Sequence, residues 1–149
     1  MSAAHRRRED GTALVEFTWL ALILLVPVVY VLLGVFDAQR ASYAVSAASR
    51  SAGRAFVLSP DQATAQQRAV EAARVALADQ GVELGSGAVA VSCTPSPQHC
   101  LSPGSVVTVT VTVQQPLPLA PDVLGGSAPT VRVASTHSEP YGTFREDRS

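Results

Sequence analysis

The chain has 149 residues, room for one ordinary domain, and a net charge of -1 with a pI near 6.3 gives no reason to expect nucleic acid as a partner. The charge is unevenly placed: all 11 basic residues are arginine, and Arg6, Arg7 and Arg8 stand together with no further basic residue until Arg40. Aromatic residues make up only 5 %, so a domain folded from the remainder has a thin core of Val, Ala and Leu, and a covalent staple would help it.

The first element is an apolar segment, Phe17 to Phe36, which carries no charge. As a helix it would cover about 30 Å, the hydrocarbon thickness of a bilayer. A buried helix of a soluble core is seldom apolar all round for so many turns, so the segment is expected to span a membrane once. Pro27 and Gly34 are tolerated in such helices, although Pro27 predicts a kink or a loosened turn. Three arginines before the segment and none directly after it place the N-terminus in the cytoplasm and the rest of the chain outside. A secretory signal peptide is the rival reading. Its apolar region is usually ~7–15 residues with a small-x-small site just beyond. This segment is longer, and Ala38-Gln39-Arg40-Ala41 is a poor substitute for such a site, although small residues nearby keep the option open.

Just before the apolar run lies Gly11-Thr12-Ala13-Leu14-Val15-Glu16-Phe17. Glu16 sits at or inside the membrane boundary, where an unpaired carboxylate is costly. Taken alone it reads as an interfacial residue that snorkels to headgroups. Its register suggests more. A basic leader ending in Gly, with Glu at the fifth position beyond it and an aromatic at the sixth, resembles the class III leader of type IV pilins and pseudopilins. Within that group the start is most similar to TadE-like proteins, minor pilins or pseudopilins of tight-adherence (Flp) pilus systems, whose N-terminal pattern commonly reads Gly-x-x-x-Val-Glu-Phe. The resemblance covers residues 6 to about 56 and is diffuse beyond. It implies that a prepilin peptidase cuts between Gly11 and Thr12. The new α-amino group, with an ordinary pKa of ~7.7–8.0, then lies about 6 Å along the helix from Glu16. It further implies that Glu16 and Phe17 serve assembly, with Glu16 pairing with the amine of an adjacent subunit and setting the stagger of two helices. The partners so implied are membrane lipid, the peptidase, other pilin-like subunits and the pilus assembly machinery. Two departures favour a minor component: Pro27 lies earlier than the helix proline of major type IV pilins, and residues 12–149 are too many for a major Flp pilin.

Beyond Phe36 the chain stays helical in character to about Leu58, with a small-residue face of Ala41, Ala44, Ala48, Ala52 and Ala55 suited to close packing and Gly53 as a soft spot. Ser59-Pro60-Asp61-Gln62 predicts a helix start with Ser59 as N-cap, Pro60 in the first turn and Gln62 closing a capping box. That helix is expected over about 60–80, with Val70, Ala73 and Leu77 on its apolar stripe and Gly81 ending it. Three strands follow: Ala88–Ser92, Val106–Val113 with valines on one face and threonines on the other, and Thr130–Ser135. Pro116, Pro118, Pro121 and Gly125-Gly126 mark the loop before the third. The fold class expected is α+β, an N-terminal transmembrane helix extended outward and then one helix packed on a small antiparallel sheet of about three strands. The corresponding division is a leader at 1–11, the span at 12–36, its continuation at 37–58, an exported domain at 59–138 and a disordered tail at 139–149.

Cys93 and Cys100 flank a short Pro-containing loop, and outside the cytoplasm a disulfide between them is expected. A metal site with His99 would lack a fourth ligand, so no metal and no cofactor are expected. His5, His99 and His137 are scattered, no nucleophile elbow or phosphate loop occurs, and neither an enzyme nor a small-molecule substrate is expected. Two function classes remain. One is a processed minor pilin; the other is an uncleaved, signal-anchored envelope protein whose exported domain binds a cell-wall or secretion partner.

Overall fold

The computed structural model describes residues 9–116 and 130–149, with side chains from Ala13 onward. Arg6, Arg7 and Arg8, and the loop residues Pro118, Pro121 and Gly125-Gly126, lie outside the described residues. The elements are α1 (Glu9–Val57), α2 (Gln62–Ala78), β1 (Val89–Thr94), β2 (Val106–Pro116) and β3 (Thr130–Pro140). The architecture is the α+β arrangement expected: one long apolar N-terminal helix, a second helix, and a three-stranded antiparallel sheet in the order β1-β2-β3.

The apolar segment and its alanine-rich continuation form one unbroken helix of 49 residues, with Pro27 inside it. Proline there removes one backbone hydrogen bond without ending the helix, because the flanking Leu, Val and Ala residues hold the ladder on both sides. From Ala13 to Phe36 the helix touches little else, while Ala41, Ala44, Val45, Ala48, Ala52, Phe56 and Val57 are buried. The upper half of α1 is thus the central post of the domain. The sheet lies on it through β2 and β3, and α2 folds back beside it after a four-residue turn. The expected arrangement had α2 as the helix under the sheet. Instead α2 meets the sheet only near β1, and α1 supplies most of the platform. Alanines at 65, 69 and 73 with Leu77 give α2 a narrow buried stripe at four-residue spacing, and that spacing suits packing against another alanine-lined helix.

The start of α2 differs from expectation. Its N-cap is Asp61, whose carboxylate accepts from the Thr64 backbone N–H at 2.8 Å and from the Thr64 hydroxyl at 2.8 Å. Ser59 belongs to the end of α1 instead, its hydroxyl donating to the Ala55 carbonyl at 2.8 Å. Gln62 does not close a capping box; its side-chain oxygen accepts from the Cys100 N–H at 3.3 Å. A carboxylate is the stronger acceptor for N-terminal N–H groups, so the helix starts two residues later than a Ser59 cap would set it. At the other end, Val82 N–H reaches the Leu77 carbonyl and Gly81 N–H the Ala78 carbonyl, with Gly81 at φ +66°, a Schellman closure that needs its glycine.

In the sheet, Val107, Val109, Val111 and Val113 of β2 are buried, and threonines alternate on the other face. Thr108 pairs with Ser138 at 3.0 Å and Thr110 with Thr136 at 2.9 Å, so the outer face is tied by hydroxyl contacts between strands. β3 is longer than Thr130–Ser135, and its inward positions Val133, Ser135, His137 and Glu139 are only half-buried. Polar inward residues on an edge strand discourage a further strand from adding there.

The segment expected to be a disordered tail is structured. β3 runs through Glu139 and Pro140, and Tyr141 is buried with its hydroxyl donating to the Glu146 carbonyl at 2.8 Å. Arg145 stacks on the Tyr141 ring and donates to the Val57 carbonyl at 2.8 Å, supplying a cation at the C-terminal end of α1. Arg148 N–H then reaches the Leu101 carbonyl at 3.1 Å. One buried tyrosine and one arginine at a helix end outweigh the polar composition that suggested fraying.

Candidate functional site

The residues singled out at the N-terminal junction sit on the bare half of α1. Gly11 and Thr12 lie in its first turns, following Glu9 where the helix begins. Glu16 is exposed, and so are Leu14, Val15 and Phe17 around it. No cation comes within ion-pair distance of Glu16 among the described residues. Glu16 is the only charged group from Ala13 to Phe36, so the helix presents one carboxylate in an otherwise apolar surface more than six turns long. Phe17, Leu20, Ala21, Leu24, Leu25 and Val28 line a shallow apolar groove along one side of it, where Ala21 leaves space between larger neighbours. Trp19 is 64 % exposed and Leu24 68 %. This stretch is long and apolar enough to cross a membrane, with a mean hydropathy of 2.7 over its most apolar window. Thr18, the next polar residue, turns its hydroxyl back to the Leu14 carbonyl at 2.8 Å and so adds no unsatisfied donor to that surface.

Cys93 and Cys100 are joined in a disulfide. The bridge closes the β1–β2 connection, whose carbonyl at Cys100 accepts from the buried Ser105 hydroxyl. Leu101, next to it, is fully buried under the C-terminal segment. The bridge is therefore a staple of the domain, not an open thiol pair.

The other titratable groups are dispersed. His137 pairs with Glu139 at 3.0 Å on the inner face of β3, and His99 Nδ1 lies 3.2 Å from the Ser149 hydroxyl on the surface. Among the described residues no three His, Cys, Asp or Glu side chains gather in metal-binding geometry. An open groove of about 470 Å3 lies at the end of the sheet, bordered by Glu83, Gly85, Ser86, Gly87, Thr112 and Arg132. Nothing in it pairs a nucleophile with a base. Two carboxylates among the described residues are held low by local hydrogen bonds of structural character. Asp61 is held below the ordinary value chiefly by the Thr64 N–H, and Asp147 chiefly by the Ser149 hydroxyl and N–H.

The sequence reading missed Tyr141 and Arg145. A Tyr-Gly pair directly after a strand ending in Pro140 was the available signal, since an aromatic at that point has the strand's edge to pack on. Compared with family models, with curated proteins and with solved structures, the chain matches none.

Proposed function

We propose that this chain is a non-enzymatic, TadE-like minor pilin or pseudopilin: an N-in, single-pass protein of the cell membrane whose leader is removed between Gly11 and Thr12. It then takes part in Tad/Flp-type pilus assembly or export through the helix that begins there. The observation that carries this reading is the placement of Glu16: a lone exposed carboxylate in an apolar helix surface, five residues past Gly11. A carboxylate in lipid needs a cationic partner. The α-amino group created at Thr12 on a neighbouring copy is such a partner, about one helical turn away along the axis. The continuity of α1 from that surface into the folded domain supports the same reading, since it makes a fixed helix register a fixed register of whole domains.

N-terminal sequencing of the protein from native membranes tests the processing step. Thr12 is expected at the N-terminus, and Met1 or Ser2 in cells that contain the peptidase would overturn it. Gly11→Ala should slow the cut. Glu16→Gln should leave insertion and domain folding intact and abolish co-assembly, measured by recovery of a second, differently tagged copy. If Glu16→Gln assembles normally on an uncut N-terminus, the chain is a plain signal-anchored envelope protein.

A further inference from the structure

Above the apolar stretch, α1 is packed on one side only. On the other side Arg40, Tyr43, Arg50, Arg54 and Leu58 are exposed. Arg50 and Arg54 stand one turn apart beside a shallow concavity of about 280 Å3 that they line with Ala47 and Ser51. Arg40 has its own partner, Asp37 at 3.3 Å, but neither Arg50 nor Arg54 has an ion-pair partner among the described residues. Arg54 lies in the last turn of α1, where the helix dipole favours a cation in any case. Arg50 has no such reason to be there.

Two exposed acids without ion pairs among the described residues stand at the opposite end of the domain: Asp79, just past α2, and Glu83 in the connection to β1. Arg132 borders the same groove as Glu83 but makes no ion pair with it. Because α2 folds back along α1, its 17 residues carry Asp79 roughly 25 Å down from the α1–α2 turn, some 15 Å below the level of Arg50. Within one molecule the two charged patches cannot meet. They approach if a second copy stands higher along the helix axis.

We propose that Arg50 and Arg54 of one copy take Asp79 and Glu83 of a neighbouring copy raised along the shared axis. The inference rests on the assembly reading, and it gives the stagger a second contact. Pairing Glu16 with a neighbour's Thr12 amine raises that neighbour by four residues, about 6 Å. That shift leaves about 9 Å along the axis between Arg50 and the neighbour's Asp79, which extended arginine and carboxylate side chains span, with Arg54 one turn farther. Both charge contacts therefore call for an offset of the same sign. Exposed pairs of this kind add little affinity but discriminate register, so the contact should weaken with salt.

The test uses the full chain in membranes of cells that process it. A photo-activatable cross-linking residue replacing Ser51 should join one copy to the segment around Asp79 and Glu83 of another. Arg50→Glu with Arg54→Glu should lower that cross-link roughly tenfold or more, as should Asp79→Arg with Glu83→Arg. All four reversals in one chain should restore it. All four residues are exposed, and unchanged thermal unfolding of the domain confirms that loss of the cross-link is not loss of the fold. Wild-type copies that associate in a Glu16-dependent manner, yet cross-link elsewhere or ignore the reversals, overturn this pairing and leave the assembly reading standing. Wild-type copies that do not associate at all overturn both.

Discussion

The two halves of α1 invert the usual relation between size and burial. In the lower half, Leu, Ile, Val, Phe and Trp side chains are exposed, whereas the buried positions of the upper half are mostly alanine, serine or glycine. In water, large apolar side chains go inside because burial stabilises by about 25 cal/mol per Å2 removed from solvent. This helix leaves its large side chains outside at one end and hides mostly small ones at the other. Below Phe36 the chain itself provides no cover. From Ala41 upward the sheet and the second helix cover one side of α1, closely enough at Ala41, Ala44, Ala48 and Ala52 that these side chains are fully buried. The same regular backbone carries a surface long and apolar enough to cross a membrane and a post on which a sheet and a second helix pack.

The two halves should differ most when each loses one large side chain. Phe56 is the one large aromatic of α1 that is buried. Phe56→Ala should destabilise the domain by ~3–5 kcal/mol, because it removes a fully buried aromatic from the core cluster and leaves a cavity there. Leu24→Ala removes a side chain of similar hydrophobicity from the bare half and should leave domain unfolding within ~0.5 kcal/mol of the parent. Denaturant unfolding of the detergent-solubilised protein, followed by the near-ultraviolet signal of the domain, measures both. Equal effects would mean that the halves are not independent.

The domain above the bare half is small, and the disulfide is expected to contribute the next largest share. Replacing Cys93 and Cys100 together with Ser should cost about 2–3 kcal/mol on the loop-closure account, read as a lowered unfolding midpoint. The same double variant should leave membrane insertion unchanged, which keeps the loss on the domain side of the comparison.

At Gly53, α1 runs close against the sheet. An added Cβ would meet His137 Cδ2 at 3.4 Å, Glu139 Cβ at 3.7 Å and Val109 Cγ2 at 3.9 Å. These are contact distances without severe overlap, and alanine is favoured over glycine inside a helix by about 1 kcal/mol. Gly53→Ala should therefore be neutral or stabilising by up to that amount, whereas Gly53→Leu should push β3 away and destabilise. If Gly53→Ala is clearly destabilising, β3 sits more tightly on α1 than these distances state.

How much of this was legible in the sequence follows from how local each cause is. The long helix, the alternating valines of β2, the glycine closing α2 and the disulfide are written in residues close together in the chain, and their patterns predicted the elements. The alanine face from 41 to 52 also announced close packing, though not what would pack there. What stayed hidden depended on distant partners. Ser59, Pro60 and Gln62 spell a helix start, but Asp61 captures the cap and Gln62 turns to Cys100 across the fold. The last residues read as a polar tail until Arg145 is seen at the carbonyl of Val57. At the N-terminal junction the spacing of Gly11, Glu16 and Phe17 was wholly legible, because that pattern is local too.

The smallest expected effect concerns the α2 cap. Hydrogen bonds from Thr64, first its backbone N–H and then its hydroxyl, stabilise the charged form of Asp61 in the folded chain and lower its pKa from the ordinary 3.8. A group whose folded value is depressed contributes stability that is fully present above its unfolded value. That contribution is lost as pH falls through the folded value. The cap should therefore hold from neutral pH down to about 3.8 and weaken only in stronger acid. Asp61→Asn keeps an acceptor at the cap but does not titrate, so the gap in unfolding midpoint between parent and variant should narrow in that acid window. Asp147 is lowered as well, by Ser149 and Ser102, and would titrate in the same window. Both proteins should therefore carry Asp147→Asn, leaving Asp61 as the difference between them. A gap that stays constant into strong acid would show that the charge on Asp61 is not what holds the start of α2. The turn between the two helices would then owe its geometry to the Ser59 and Arg145 contacts at the end of α1.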